Sequence, residues 1–250
     1  MKKVLYTLTC GAILASSVMA DITRVEMGVG AWMQESKGSV SYTDGGADGS
    51  YVSSEKDSTE PYVWALIKHP VPILPNLRLE YVSLKDSGVA SGTFKDFDIT
   101  SASTTLSYDV KQYDIIPYYN ILDNTAWITL DLGLDIKIVD ASYTAAASAP
   151  FAGYNDSITF ALPLLYARAR VEIPSTDIGL EADIKYITTG DSTVYDVRAK
   201  VDYTLDFVPV IQPALEVGYR AQKIDIDESS VDAKLDIEFS GFYAGLMLRF

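Results

Sequence analysis

The sequence predicts an all-β fold, a ten-stranded antiparallel transmembrane β-barrel, on three observations. Apolar and polar residues alternate with a period of two through most of the chain. The connections between these runs switch between compact and mostly longer ones. No run after residue 20 is long and apolar enough for a membrane-spanning helix. A chain without such a helix enters a bilayer only as a closed barrel, because closure satisfies every backbone hydrogen bond.

The opening MKKVLYTLTCGAILASSVMA reads as an export signal. Lys2 and Lys3 precede a short apolar stretch interrupted by Thr7, Thr9, Ser16 and Ser17, and Val18-Met19-Ala20 forms a small-residue cleavage site. Cleavage after Ala20 divides the chain into a signal segment, 1–20, and a barrel domain, 21–250. Cys10 falls in the signal and lacks the context of a lipidated cysteine, so the exported chain is expected to carry neither thiol nor disulfide.

Ten strands follow, at roughly 23–35, 60–69, 76–86, 98–119, 125–142, 155–173, 177–189, 193–205, 210–225 and 231–250. The fifth shows the pattern best: Ile128, Leu130, Leu132, Leu134, Ile136 and Ile138 alternate with Trp127, Thr129, Asp131, Gly133, Asp135 and Lys137. Leu165 to Ile173, Tyr195 to Tyr203 and Leu215 to Ala221 repeat it against Arg168, Arg170 and Glu172, Asp196, Arg198 and Lys200, and Glu216 and Arg220. Compact connections lie at 69–76, 121–124, 174–177 and 206–209. Longer polar ones lie at 36–59, 87–97, 143–154 and 226–230, with 190–192 a short member of the same set. Tight turns at one end and longer loops at the other suit a membrane barrel of even strand number. A soluble sandwich or lipocalin-like barrel also alternates, with its apolar face inward. Export, the lack of cysteine, and aromatics near strand ends favour the membrane orientation. Those aromatics are Trp32, Tyr62, Tyr118, Tyr119, Trp127, Tyr143, Tyr186 and Tyr203.

The last predicted strand ends on GFYAGLMLRF, an alternating run closing on Phe250. Leu235, Ile237 and Phe239 are odd-numbered whereas Phe242 to Phe250 are even, and a β-bulge near Ser240-Gly241 would restore one face. This run, with Tyr243, Leu246, Leu248 and Phe250, resembles the β-signal of Gram-negative outer-membrane proteins. The resemblance implies placement in the outer membrane, contact with its lipid and lipopolysaccharide, and insertion by the barrel assembly machinery. HPVPILPN, YDVKQYDIIPYYNILDN and the acidic alternating strand after them resemble, more narrowly, an uncharacterised proteobacterial barrel family associated with GlyGly-CTERM sorting. That family has no assigned activity to carry over.

With apolar stripes on lipid, the opposite stripes fill the lumen with Arg24, Glu26, Arg78, Glu80, Asp109, Lys111, Asp131, Asp135, Lys137, Arg168, Arg170 and Glu172. The later strands add Glu181, Asp183, Lys185, Asp196, Arg198, Lys200, Asp202, Glu216 and Arg220. Ten strands enclose far less room than a porin, so long side chains of both signs are expected to pair and plug the bore. A narrow path for ions or small solutes is the other reading of the same lining.

The composition excludes some functions. With 20 basic against 34 acidic residues and a net charge of −14, the chain offers no basic patch for nucleic acid. Ten-stranded outer-membrane proteases of the omptin type and lipid-editing barrels resemble this architecture and use a rim histidine. The one histidine here, His69, opens a compact turn, so no catalytic residue is expected and the chain is read as a non-enzyme. The loops hold Asp44, Asp48, Glu55, Asp57 and Glu60. The carboxylates of DIDESSVD, Asp225, Asp227, Glu228 and Asp232, match no calcium-loop spacing, and GGADG lacks the setting of a phosphate loop. No metal or other cofactor is expected. The oligomeric state is not legible.

Overall fold

The structure, a computed structural model, describes residues 23–44, 47–71, 73–94, 97–145, 153–205, 211–227 and 233–250. The signal at 1–20 and residues 228–232 of the acidic run lie outside them. The strands are β1 (Arg24–Asp44), β2 (Ala47–Ser53), β3 (Ser58–Lys68), β4 (Asn76–Phe94), β5 (Phe97–Thr125), β6 (Ile128–Ala145), β7 (Tyr154–Glu172), β8 (Ile178–Thr189), β9 (Ser192–Thr204), β10 (Gln212–Ile226) and β11 (Ala233–Arg249). All neighbours are antiparallel, and β11 pairs with β1 from Glu26↔Arg249 to Tyr42↔Ala233, so the sheet closes on itself. β2 and β3 occupy one position, each between β1 and β4. The result is a closed ten-stranded antiparallel barrel.

Alternating side chains point to opposite faces of a strand, and β6 shows what that does here. Leu132, Leu134 and Ile136 are exposed on the outside, Leu134 at 55%, while Asp131 and Asp135 at 0% and Lys137 at 2% are buried inside. Met27 and Val29 on β1, Val197 and Val201 on β9, and Leu246 and Leu248 on β11 continue this outer apolar surface. Together they form a belt. From Ile128 to Ile138, about ten steps of ~3.3 Å tilted by ~40° give a height of about 25 Å. Aromatics mark its edges. At one edge lie Tyr81 and Tyr113, with rings 5.3 Å apart, Tyr219 and Phe242, 5.2 Å apart, and the facing pair Tyr186↔Tyr195. At the edge with the compact turns lie Tyr119, Trp127, Tyr203 and Phe250, all exposed. Trp32, Tyr62 and Tyr118 are instead buried inside the barrel, and Tyr143 packs against an inner cluster, so these four do not belong to the girdles.

Beyond the Tyr81–Tyr113 edge the two faces exchange character. On β6 the inner residues become Val139 and Ala145, both buried, and the outer ones Ser142 and Thr144, both exposed. On β5, Leu106 is inside and Lys111 outside; on β4, Ala90 is inside and Lys85 outside. Tyr51, Ala90, Leu106 and Ala145, with Val40, Tyr108 and Tyr143 against them, form an apolar core within this extension. Such a wall, polar outside and apolar inside, is the arrangement of a barrel surrounded by water.

The exchange corrects three expectations. Most of the 36–59 and 87–97 segments is strand, since β1 runs to Asp44 and β4 to Phe94. Asp109 and Lys111 point outward, on the same face as Tyr113 and Ile115, because the wall has turned polar outside at that height. No register shift occurs at Ser240-Gly241: the pairings of β11 with β10 run unbroken from Arg249 to Leu235. Phe239 and Tyr243 both face inward, so the apolar side of β11 moves from inside to outside without a bulge.

A break in the wall lies at residues 54–57 between β2 and β3. β4 has ladder partners there up to Val82 and again from Gly88, leaving Ser83 to Ser87 unpaired on that side. Buried backbone polar groups need partners, and both side chains and backbone supply them here. Gln34 Nε2 donates to the Ser83 carbonyl at 2.7 Å, and the Ser54 N–H donates to the Ser87 carbonyl at 2.9 Å. Asp86 accepts from the hydroxyls of Ser36 at 2.6 Å, Tyr51 at 2.6 Å and Ser53 at 3.0 Å, and from the Ser87 N–H at 2.7 Å. Burial, and after it the bond to Asp86, holds the Tyr51 phenol well above its ordinary range.

Candidate functional site: a charge-filled lumen

Inside the belt, ten basic side chains (Arg24, Arg78, Lys137, Arg168, Arg170, Lys185, Arg198, Lys200, Arg220 and Arg249) meet eleven carboxylates (Glu26, Glu80, Asp114, Asp131, Asp135, Glu172, Glu181, Asp183, Asp196, Asp202 and Glu216). Strand alternation aims them all at the axis, and the bore brings opposite walls within reach of an arginine. They sort into three tiers.

At the compact-turn end, Glu26 accepts from Arg24 Nε at 2.6 Å and Arg249 Nε at 2.8 Å. Arg170 grips Asp202 with two parallel bonds of 2.6 and 3.0 Å, the strong geometry for a guanidinium and a carboxylate. Arg24 reaches Glu172 at 3.2 Å, and both of these are partly exposed at the rim.

The middle tier centres on Glu181, which lies 3.2 Å from Arg168, 3.5 Å from Arg78 and Arg170, and 3.6 Å from Arg198 and Lys200. Trp64 lies between two of these cations, with Lys200 Nζ 4.4 Å and the Arg78 guanidinium 4.9 Å from its ring centre. Its indole N–H donates to Glu216 at 3.0 Å, beside the Tyr62 hydroxyl at 2.8 Å. Gly28 makes room for the ring: a Cβ there would lie 2.3 Å from Trp64 Nε1. Arg168 and Arg198 bind Asp131 and Asp183, each at 2.6 Å.

In the third tier, Glu80 takes Lys185 and Arg78 at 2.6 Å, and Asp196 takes Arg220 at 2.6 Å and Lys137 at 3.1 Å. Asp114 binds Lys137 at 2.8 Å and also Lys185. Among these groups Arg220 lies over Trp32, 5.4 Å from its ring centre. The cavity lined by Trp32, Tyr62, Arg198, Arg220 and Tyr243 has a volume of about 10 Å³, room for about one water.

Of the twenty-one positions expected to line the lumen, nineteen do, with Arg24 and Glu172 at its rim, and Asp109 and Lys111 do not. Asp114 and Arg249 escaped sequence reading. Asp114 sits among YDVKQYDIIPYYN, where the exchange of faces hides which parity points inward. Arg249 was left out of the expected lumen set although it alternates with the outer Leu246, Leu248 and Phe250 and shares the inner side of β11 with Tyr243 and Met247. His69 is bound into its turn: Nδ1 accepts from the Val71 N–H at 3.2 Å, leaving Nε2–H to donate to the Pro75 carbonyl at 3.0 Å. Among the described residues no group of three or more His, Cys, Asp or Glu is arranged to hold a metal ion. On the outside of the belt, Ala169, Ala182 and Ala199 floor a shallow apolar groove of about 550 Å³ that ends at Tyr219 and Phe242.

No protein-family model and no curated protein matches the chain. Solved structures do. The outer-membrane protease OmpT from Escherichia coli aligns with a TM-score of 0.56 at 10% identity, over 91% of this chain and 97% of that one. The translocator domain of the autotransporter NalP from Neisseria meningitidis aligns with a TM-score of 0.42 at 12% identity, over 100% of this chain and 98% of that one. At such identities the likeness to OmpT concerns the barrel fold alone.

Proposed function

We propose that this chain is an integral outer-membrane barrel whose lumen is closed to solutes and which acts through the wall it raises above the membrane. The observation that carries the reading is the belt-level bore. Buried ion pairs cross it in three tiers, and the polar-walled extension above has its own apolar core. The belt suits acyl tails on three counts: its height of about 25 Å matches an outer-membrane hydrocarbon layer, aromatics edge it, and its groove has apolar walls. Lipid and lipopolysaccharide would surround it. Export by the signal at 1–20 and recognition of the closing strand by the barrel assembly machinery complete this reading, as does kinship with the uncharacterised proteobacterial family.

The role is structural or one of surface interaction, without catalysis. The place of His69, bound within a compact turn away from the extension, supports that. In a planar bilayer the purified protein is expected to pass no steady ion current. Reproducible single-channel steps would replace this reading with the narrow conducting path.

A further inference from the structure

Ten of the eleven carboxylates in the belt-level lumen have a basic group within 4.0 Å. Asp135 has none. It is 0% exposed, and neither Oδ1 nor Oδ2 has a hydrogen-bond donor among the described residues. Directly across from it on β7 lies the fully buried Leu164. The charges that bear on it are Lys185 on β8, Asp114 on β5, Lys137 on its own strand and Glu80 on β4. All four are engaged with one another or with Asp196. The unpaired group is thus also the surplus one, since the ten basic side chains already serve the other ten carboxylates.

A buried carboxylate with no hydrogen-bond donor and no directly paired cation is too costly to persist as a bare anion. We propose that Asp135 is the site of one small monovalent cation, a proton or an alkali-metal ion, which neutralises the surplus charge of the lumen. The two sources ask different things of the site. A proton needs a single carboxylate oxygen, whereas a metal ion gathers several oxygen ligands. In both cases the carboxylate gains one positive charge and gives nothing up.

Linkage supplies the test, because a ligand bound only by the folded state stabilises it in proportion to supply. The full chain, folded in detergent, would be unfolded in urea in two series at constant ionic strength. One raises pH from about 5, where an exposed aspartate is already ionised, with tetramethylammonium as the only other cation. The second holds pH fixed and replaces tetramethylammonium with sodium or potassium. Asp135→Asn and Asp135→Leu run alongside.

If the cation is a proton, the wild-type folded-to-unfolded ratio falls with rising pH relative to both variants, by up to tenfold per pH unit. If it is an alkali ion, the wild-type ratio rises relative to both variants by up to tenfold per tenfold increase in that ion. Equal slopes for wild type and variants in both series would overturn the proposal. So would the failure of both variants to give a compact, heat-resistant form, since that would make the bare negative charge itself the structural requirement.

Discussion

At the residue scale, burial decides what an ion pair contributes. Glu181 is held by five cations from β4, β7 and β9, and its side chain is 1% exposed. Glu181→Gln keeps the shape, removes the charge, and leaves those cations short of a counterion. Breaking a buried pair from one side costs about 3–5 kcal/mol, and the urea midpoint of the folded protein should fall accordingly. Lys85 pairs with Glu60 at 3.1 Å with its own side chain half exposed. Lys85→Ala should leave the urea midpoint close to that of the wild type, because water screens the exposed lysine end of the pair. Finding the two variants equally stable would remove the distinction between network and surface. The partners of Glu181 were not legible in sequence: Arg78 lies 103 positions away, and only the closure of the barrel brings it near. Alternation reveals which residues enter a lumen, and the register around the barrel decides which of them meet.

At the element scale, the break between β2 and β3 is where side chains help to replace a missing ladder. Asp86→Ala would strip three hydroxyls of their acceptor. Each buried polar group left unsatisfied costs about 1–3 kcal/mol. Limited proteolysis should then cut within 54–57 sooner than in the wild type, while the heat resistance of the barrel is unchanged. Equal cutting would mean that Asp86 does not hold the break. The other sensitive element is the seam of β1 and β11. Gly241 has φ +154°, and a Cβ there would lie 1.8 Å from the Met33 carbonyl oxygen. Gly241→Ala should therefore prevent the seam from closing and abolish the compact form on unboiled gels. Period two gave away nearly every element, but not the height at which its faces exchange. An alternating run reads the same whichever side is apolar, so the polar outer wall of β1 and β4 passed for loops. For the same reason Asp109 and Lys111 passed for lumen residues in place of Asp114. The supposed bulge at Ser240-Gly241 was that exchange, misread on a single strand.

At the scale of the whole molecule, the wall has two parts of opposite polarity, a lower closed barrel and an upper extension. The lower is apolar outside and ionic inside, as lipid contact demands. The upper is polar outside and apolar inside, as water demands. The boundary between them, at Tyr81, Tyr113, Tyr186 and Tyr195, is the level where the proposed membrane surface would lie. Site-directed nitroxide labelling along β6 tests this most directly. In protein reconstituted into bilayers, labels at Leu132, Leu134 and Ile136 should be quenched by lipid-soluble oxygen. Labels at Asp131, Asp135 and Lys137 should be shielded from both oxygen and a water-soluble nickel complex, and labels at Ser142 and Thr144 should be reached by the nickel complex. Oxygen contact that fails to alternate between 131 and 137, or nickel access to position 134, would contradict the account.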